Sequence, residues 1–299
     1  MNRSAASLVR VIAVAVCWLS QIAHAPMSQA DEARGGLSGQ LLYSGLTDGV
    51  WQIWRLDLAS DTRAQLTFSP GDKRHPSWLD NDSIGFCTSN QGCYRLSRLD
   101  GKERPLLQEL WPMRDLVWSP VGGRVAFAKF RTDIIDNANL WVADVAGPTR
   151  KLITHEAGIQ QHPAWSPDGK RIAFSGGHGY GTYELYIVDA DGSGLRRLTT
   201  NTTHEFSPAW SPDGKQLAYS ADASGDYEIW VIGADGSRPR QLTQSPGLDA
   251  TPTWSPDGAH IAFASNRSGA MELWVMDADG NNARRVERSE SGACDPAWR

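Results

Sequence analysis

Two histidines, two aspartates, a serine and a threonine share one recurring place in this chain. His75, Asp115, His162, Ser207, Thr251 and Asp295 each stand three residues before a tryptophan: Trp78, Trp118, Trp165, Trp210, Trp254 and Trp298. Imidazole and carboxylate around one opening suit a transition metal. They also suit an enzyme acting on carbohydrate through His75, His162 and neighbouring acids. The competing reading is a polar lining that meets water or a partner, and ligands drawn from separate repeats favour it. On that reading no catalytic residue, cofactor or metal is assigned.

The elements that position these groups repeat. The tryptophans lie 40, 47, 45, 44 and 44 residues apart, a period that belongs to stacked or radial repeat folds. Pro163 to Gly169 returns as Pro208 to Gly214 and Pro252 to Gly258, more loosely around Trp78 and Trp118, and in part as Asp295-Pro296-Ala297-Trp298. Each unit reads as four short strands. In the clearest copy a first strand runs to Trp165, and Ser166-Pro167-Asp168-Gly169 makes a turn. Arg171 to Ser175 is the second strand, Tyr183 to Asp189 an alternating third, and Leu195 to Thr199 the fourth, after the turn at Asp191-Gly192.

Four-stranded units of this length are propeller blades. Residues 39–67 match strands two to four of a blade, with Gln40 to Ser44, Val50 to Leu58 and Ala64 to Thr67. Asp295 to Arg299 supplies the missing first strand. The expectation is an all-β, six-bladed β-propeller over residues 39–299, closed by pairing the N- and C-terminal strands in one blade. In that fold the six polar residues ring the channel mouth on the loop-rich face. Lys73, Arg74, Glu205 and Asp249 give that face mixed charge, which suits protein docking more than phosphate. Trp54, Trp141, Trp230 and Trp274 share a second position, and both tryptophan sets read as filling between blades. Arg150, Arg196, Arg197, Arg240, Arg284 and Arg285 read as rim charges that discourage edge pairing.

Residues 1–30 read as a secretory signal: Arg3 and Arg10, the apolar run Val11 to Leu19, then small residues. Ala23-His24-Ala25 and Ser28-Gln29-Ala30 compete as cleavage sites, and Pro26 favours the second. Cys17 leaves a lipoprotein reading open. Residues 31–38 form a short segment before the first strand. Losing Arg3 and Arg10 and no acid takes the formal charge from -5 to -7, which disfavours nucleic acid. The apolar run is too short for a comfortable membrane span. Cys87 and Cys93 flank a hairpin turn at the spacing of a cross-strand disulfide, leaving Cys294 as a buried free thiol.

Other motifs exclude more than they propose. No Gly-x-Ser-x-Gly occurs. Gly176 to Gly181 is glycine-rich but joins two strands and opens no helix, so it is no phosphate cradle. Asp189-Ala190-Asp191-Gly192 and Asp277-Ala278-Asp279-Gly280 lack the remaining ligands of an EF-hand, and turn chemistry explains them.

Trp165 to Phe174, Trp210 to Tyr219 and Trp254 to Phe263, with Glu272 to Gly280 and Arg240 to Thr243, resemble the WD40-like (PD40) propeller repeats of the TolB family. The resemblance covers about residues 39–299. It implies a periplasmic component of the Tol-Pal envelope system whose propeller binds a peptidoglycan-associated lipoprotein. TolB proteins also carry an N-terminal domain, which the resemblance does not include. The resulting expectation is a monomeric, non-enzymatic periplasmic propeller. Its partner is a Pal-like lipoprotein at the mouth formed by His75, Asp115, His162, Ser207, Thr251 and Asp295.

Overall fold

The computed structural model describes residues 37–299 except 90, 111, 131–136, 178–181 and 288–290. The expected signal segment 1–30, with Cys17, and residues 31–36 lie outside the described residues. In chain order the strands are β1 (Gln40–Thr47), β2 (Val50–Asp57), β3 (Thr62–Gln65), β4 (Lys73–Trp78), β5 (Ser83–Thr88), β6 (Gly92–Ser97), β7 (Glu103–Leu106) and β8 (Met113–Trp118). There follow β9 (Arg124–Phe130), β10 (Ala138–Asp144), β11 (Arg150–Leu152), β12 (Ile159–Trp165), β13 (Arg171–Gly177), β14 (Tyr183–Asp189), β15 (Arg196–Arg197) and β16 (Glu205–Trp210). The last are β17 (Gln216–Ala221), β18 (Glu228–Gly233), β19 (Arg240–Gln241), β20 (Asp249–Trp254), β21 (His260–Ser265), β22 (Glu272–Asp277), β23 (Arg284–Glu287) and β24 (Ala293–Trp298). One 3-10 turn, Gln108–Leu110, is the helical element among the described residues.

The strands form an all-β propeller arrangement of antiparallel units. Four sheets have four strands, β24-β1-β2-β3, β4 to β7, β16 to β19 and β20 to β23. The sequence leads to six separate four-stranded blades, and here the sheets differ. β8 to β15 form a single eight-stranded sheet, whose halves join where β10 and β12 pair in parallel at Ala138 and Ile159. The Ala138 amide also donates to the Gly158 carbonyl at 3.0 Å, so the connection Thr154 to Gly158 stays close enough for strands of two units to bond. At the other end of the chain, β24 pairs antiparallel with β1, with Leu41 opposite Trp298 and Ser44 opposite Cys294.

The core lies between units rather than within them. Ala173, Leu185 and Ile187 pack with Trp210, Leu217, Tyr219 and Ile232 of the next unit. Leu41, Tyr43 and Leu56 of the first sheet pack with Ala262, Leu273 and Val275 of β21 and β22. Middle strands are thereby covered on both faces. β13 is buried from Ile172 to Gly177, and β14 is buried at Tyr183, Glu184, Leu185, Ile187 and Val188. Strands enclosed on both sides read as near-continuous apolar runs.

The repeated tryptophans do more than fill space. Their indole Nε1 atoms donate to a backbone carbonyl of the preceding unit's first strand: Trp165 to Val117 at 3.3 Å, Trp210 to Ala164 at 3.1 Å and Trp254 to Ala209 at 3.1 Å. Trp78 reaches Ala297 of β24 at 3.1 Å in the same way. Arg197 and Arg285 pair with Glu184 and Glu272 of their own units, but two of the outer arginines bond across seams, Arg240 Nη1 to the Asp279 carbonyl at 2.6 Å and Arg196 to the Ala234 carbonyl. These two hold adjacent units together, a role the edge-protection reading does not include.

The turn chemistry follows from residue type. Ser166 Oγ donates to Asp168 Oδ1 at 2.6 Å, and Asp168 Oδ1 accepts from the Lys170 amide at 3.0 Å. Gly169 takes a φ of 65°, where a side chain is disfavoured. The same bonds recur at Ser211-Asp213 and Ser255-Asp257. Cys87 and Cys93 lie opposite each other on β5 and β6 and form a disulfide, while Cys294 is buried and reduced.

Candidate functional site

The first strand of each unit is bent by a bulge at the residue in question. On β4, Arg74 faces Cys87 and Ser77 faces Gly85, so His75 and Pro76 together oppose one residue. The same register shift occurs on β8, β12, β16, β20 and β24. His75, Asp115, His162, Ser207, Thr251 and Asp295 all adopt left-handed backbone, with φ between 51° and 54°. Non-glycine residues rarely go there, and a β-branched threonine least of all. Each such residue costs on the order of 1 kcal/mol or more, and this kind of strain concentrates at functional sites. In five of the six a proline follows. Bulges re-aim side chains, and here one device repeats at the equivalent place of six first strands.

Four of the six side chains come together. His75 stands between two carboxylates, with Nε2 3.7 Å from Asp115 Oδ1 and Nδ1 3.9 Å from Asp295 Oδ1. Asp115 Oδ2 accepts from the His162 amide at 3.1 Å. Asp295 Oδ2 accepts from Arg74 Nε at 2.9 Å and from Ser44 Oγ at 3.0 Å. Ser207 and Thr251 stand apart: no hydrogen bond or ion pair among the described residues joins them to the other four. The Thr251 amide instead donates to Ser220 Oγ at 3.1 Å.

The electrostatics of this arc favour ionised acids. Burial pushes the Asp295 carboxyl up, but Arg74, His75 and Ser44 outweigh it and hold the group well below the usual carboxylate range. Burial likewise pushes Asp115 up, and His162, His75, the His162 amide and Arg114 bring it down overall. His162 is pushed down by burial, which Asp115 only partly offsets. His75 remains 39% exposed while the Asp295 side chain is 6% exposed, so the imidazole is the accessible member.

Two sequence expectations change here. Lys73, Glu205 and Asp249, taken as charges on the docking face, are 1%, 1% and 0% exposed. Lys73 Nζ caps the carbonyls of Ser69 and Gly71. Glu205 accepts from Thr199 and Asn201, and Asp249 pairs with Arg267. Each begins a first strand. Arg74, taken only as a charged neighbour, is instead the clamp on Asp295, and its guanidinium lies 4.5 Å over the Trp51 ring. Sequence reasoning also missed the aromatic group beside His162. Phe206 lies 5.8 Å edge-on from His162, 4.9 Å from Tyr183 and 5.9 Å from Tyr227. Tyr183 opens the third strand β14 and Tyr227 directly precedes the third strand β18, so their place in the repeat was the available signal.

Among the described residues no group of three or more His, Cys, Asp or Glu side chains is placed to hold a metal ion. The His75 distances to both carboxylates are those of long ion-pair contacts, and the carboxylates spend their short contacts on Arg74, Ser44 and the His162 amide. What the arrangement offers is an arc of two carboxylates, a guanidinium and a half-exposed imidazole, each set by a backbone bulge or bonded beside one.

Comparison with known proteins agrees with the architecture. The family model described as the TolB beta propeller domain (PD40) matches residues 94–226 and 200–299. The solved structure of putative TolB from Agrobacterium tumefaciens is similar at 22% identity and a TM-score of 0.71, over 84% of this chain and 89% of that one. TolB from Acinetobacter baumannii is similar at 20% identity and a TM-score of 0.74, over 87% of this chain and 66% of that one. An oligogalacturonate lyase in complex with manganese is similar at 20% identity and a TM-score of 0.61, over 86% of this chain and 75% of that one. At these identities the structural likeness shows the fold alone, and the fold is shared by TolB proteins and a lyase. The repeat motifs, the sheet order and the two matched segments, which together take in more than half of the sequence, lead to one conclusion: the chain belongs to the TolB β-propeller family.

Proposed function

We propose that this protein is a non-enzymatic docking propeller of the cell envelope, six-bladed and closed by β24 on β1, which holds a protein partner at the mouth of its loop-rich face. Counting six takes the eight-stranded sheet as two blades joined by their single parallel pair. Six apolar clusters between successive units support that count, including the one that joins the first sheet to β21 and β22. Closure is supported by the β1–β24 ladder and by the mutual hydrogen bonds of Gln40 and Arg299, at 2.7 and 2.9 Å.

The observation that carries the docking function is the convergence of His75, Asp115, His162 and Asp295, from four units, on one arc through six identical backbone bulges. Preformed strain around a half-exposed rim suits rigid recognition, in which little ordering cost is left for the binding event. The partner is the soluble domain of a peptidoglycan-associated lipoprotein, and residues 1–30 export the chain to meet it in the periplasm.

Calorimetric titration of residues 31–299 with that domain from the same source tests the reading. Saturable binding, weakened at least about ten-fold by His75→Ala or His162→Ala in folded samples, is expected. No binding to a folded sample overturns it. Recovery of the expressed protein in the periplasmic fraction is expected, and retention in the cytoplasm overturns the location.

A further inference from the structure

A pocket of about 250 Å³ opens where the two halves of the eight-stranded sheet meet, away from the channel mouth. Gln160, Gly176 and Glu184 lie abreast on β12, β13 and β14, and Phe174, Tyr186 and Arg197 lie abreast on β13, β14 and β15. All six therefore share one face of the sheet. Phe174 and Tyr186 stack at 5.3 Å with 17° between their planes.

The pocket lies where this unit combines two smaller side chains: a tyrosine at 186, which the β4–β7 unit shares at Tyr94, and a glycine at 176, which the first sheet shares at Gly45. The register that pairs Phe174 with Tyr186 pairs Phe127, Tyr219 and Phe263 with Trp141, Trp230 and Trp274. Two residues further on stand Lys129, Ala221 and Ser265, where this unit has Gly176. In the unit before, Lys129 Nζ lies 5.7 Å over the Trp141 ring, and in the last, Arg267 lies 4.7 Å over Trp274. Among the described residues no cation covers Tyr186. A Cβ on Gly176 would come within 3.1 Å of the Tyr186 ring, so the glycine lets the phenol lie flat and leaves its far side open.

The rim is polar and balanced. Gln160 is 2% exposed, and the hydrogen bonds of its amide, from Nε2 to the Ala157 carbonyl and from Thr154 Oγ1 to its Oε1, are both long at 3.4 Å. Arg197 is matched by Glu184 at 2.6 Å and keeps a 43% exposed side chain. Glu156 supplies a further exposed carboxylate. A bare aromatic face, an underused amide, a guanidinium and a carboxylate around one small cavity form a mostly apolar floor with a few convergent polar groups. The aromatic face fits the C–H face of a sugar ring, and the rim fits hydroxyls that both donate and accept. Of the two guanidiniums at the rim, Arg197 is paired with Glu184 and Arg196 donates to the Ala234 carbonyl, and Glu156 offsets the second charge, so the rim carries no net positive charge to select an acidic sugar. The volume is below the roughly 300 Å³ at which ligand pockets usually begin, which limits the occupant to a single ring.

We propose that this seam pocket binds one neutral pyranose unit of a saccharide, stacked on Tyr186 and hydrogen-bonded by Gln160, Glu156 and Arg197. The inference goes beyond protein docking at the mouth and does not depend on it. Titration of the full protein with chitotetraose and maltotetraose, followed by heteronuclear NMR, is the test. At least one is expected to bind saturably and shift the amides around Gly176 and Tyr186. Tyr186→Trp, which restores the repeat's own residue and keeps the thermal midpoint, is expected to weaken binding at least about ten-fold, as is Gln160→Leu. His75→Ala is expected to leave it unchanged, which separates this site from the mouth. Absence of binding by both sugars, binding indifferent to Tyr186→Trp, or occupation only by tetragalacturonate or by the uncharged peptide acetyl-Ala-Leu-Tyr-Ala-amide overturns the proposal.

Discussion

Arg74 Nε donates to Asp295 Oδ2 at 2.9 Å across 221 residues of sequence, so a charge on the first complete unit is neutralised by the last strand of the chain. The Asp295 side chain is 6% exposed and that of Arg74 18%. Removing one member of a buried pair strands the other, at roughly 3 kcal/mol or more. Asp295→Ala is therefore expected to lose about 3 kcal/mol in denaturant unfolding. Deleting residues 294–299, which also removes most of the β1–β24 ladder, is expected to lower the thermal midpoint further. A truncated chain that melts like the parent would refute closure by β24.

The same carboxylate sets an acid limit. The folded-state pKa of Asp295 lies below its unfolded value because Arg74, His75 and Ser44 outweigh burial. Its contribution is present above the unfolded pKa and disappears as pH falls through the folded one. Asp295→Asn is expected to be less stable at pH 7 and to show a shallower loss between pH 4 and the acid limit, read as Tm against pH.

Buried glutamates act in the opposite direction. Burial raises the carboxyl of Glu205, and Thr199 and Asn201 only partly restore it. Glu228 is raised by burial too, with Asp249 adding to the effect. A raised acid stabilises the fold below its unfolded pKa, and that stability is lost as pH climbs through the folded value. Glu205→Gln and Glu228→Gln are expected to flatten the decline of Tm on the neutral side. An unchanged slope in both variants would show that these groups do not titrate with unfolding.

Indole hydrogen bonds between units give a differential test. Trp210 Nε1 bonds the Ala164 carbonyl at 3.1 Å, while no such bond is made by Trp118 among the described residues. Trp210→Phe keeps an aromatic ring but leaves a carbonyl unpaired, a loss of about 1 kcal/mol. Trp118→Phe is expected to lose less by that amount. Equal losses in the two variants would assign the tryptophans to packing alone.

The Cys87–Cys93 disulfide closes a short loop, with a sequence separation of 6. Chain entropy for a loop of that size is about 2 kcal/mol. The double Cys87→Ala, Cys93→Ala variant is expected to unfold at correspondingly lower denaturant while keeping its far-ultraviolet circular dichroism. Reductant is expected to move the parent protein toward the same midpoint and leave the variant where it is.

Much of the architecture was already written along the chain. Trp165, Trp210 and Trp254 mark a strand position, Ser-Pro-Asp-Gly fixes a turn through hydrogen bonds within four or five residues, and Asp295-Pro296-Ala297-Trp298 announces a strand without its unit. Such features are local, so residue type and spacing determine them. The six polar residues before the tryptophans were legible as equivalent for the same reason. Their left-handed backbone was not, because a bulge is a property of two paired strands.

Contacts between units were decided only by tertiary structure. Nothing in the spacing of His75, Asp115, His162 and Asp295 says that His75 stands between the two carboxylates while Ser207 and Thr251 stay apart. Charge alone placed Lys73, Glu205 and Asp249 on a docking face, whereas the folded chain buries them against Ser69 and Gly71, Thr199 and Asn201, and Arg267. The parallel pair of Ala138 and Ile159 likewise needs two units to be brought side by side. Periodicity determines what each unit is, because its hydrogen bonds close within about forty residues. The angle and distance at which units pack then determine which charges meet, because electrostatic and packing energies depend on separation in space rather than along the chain.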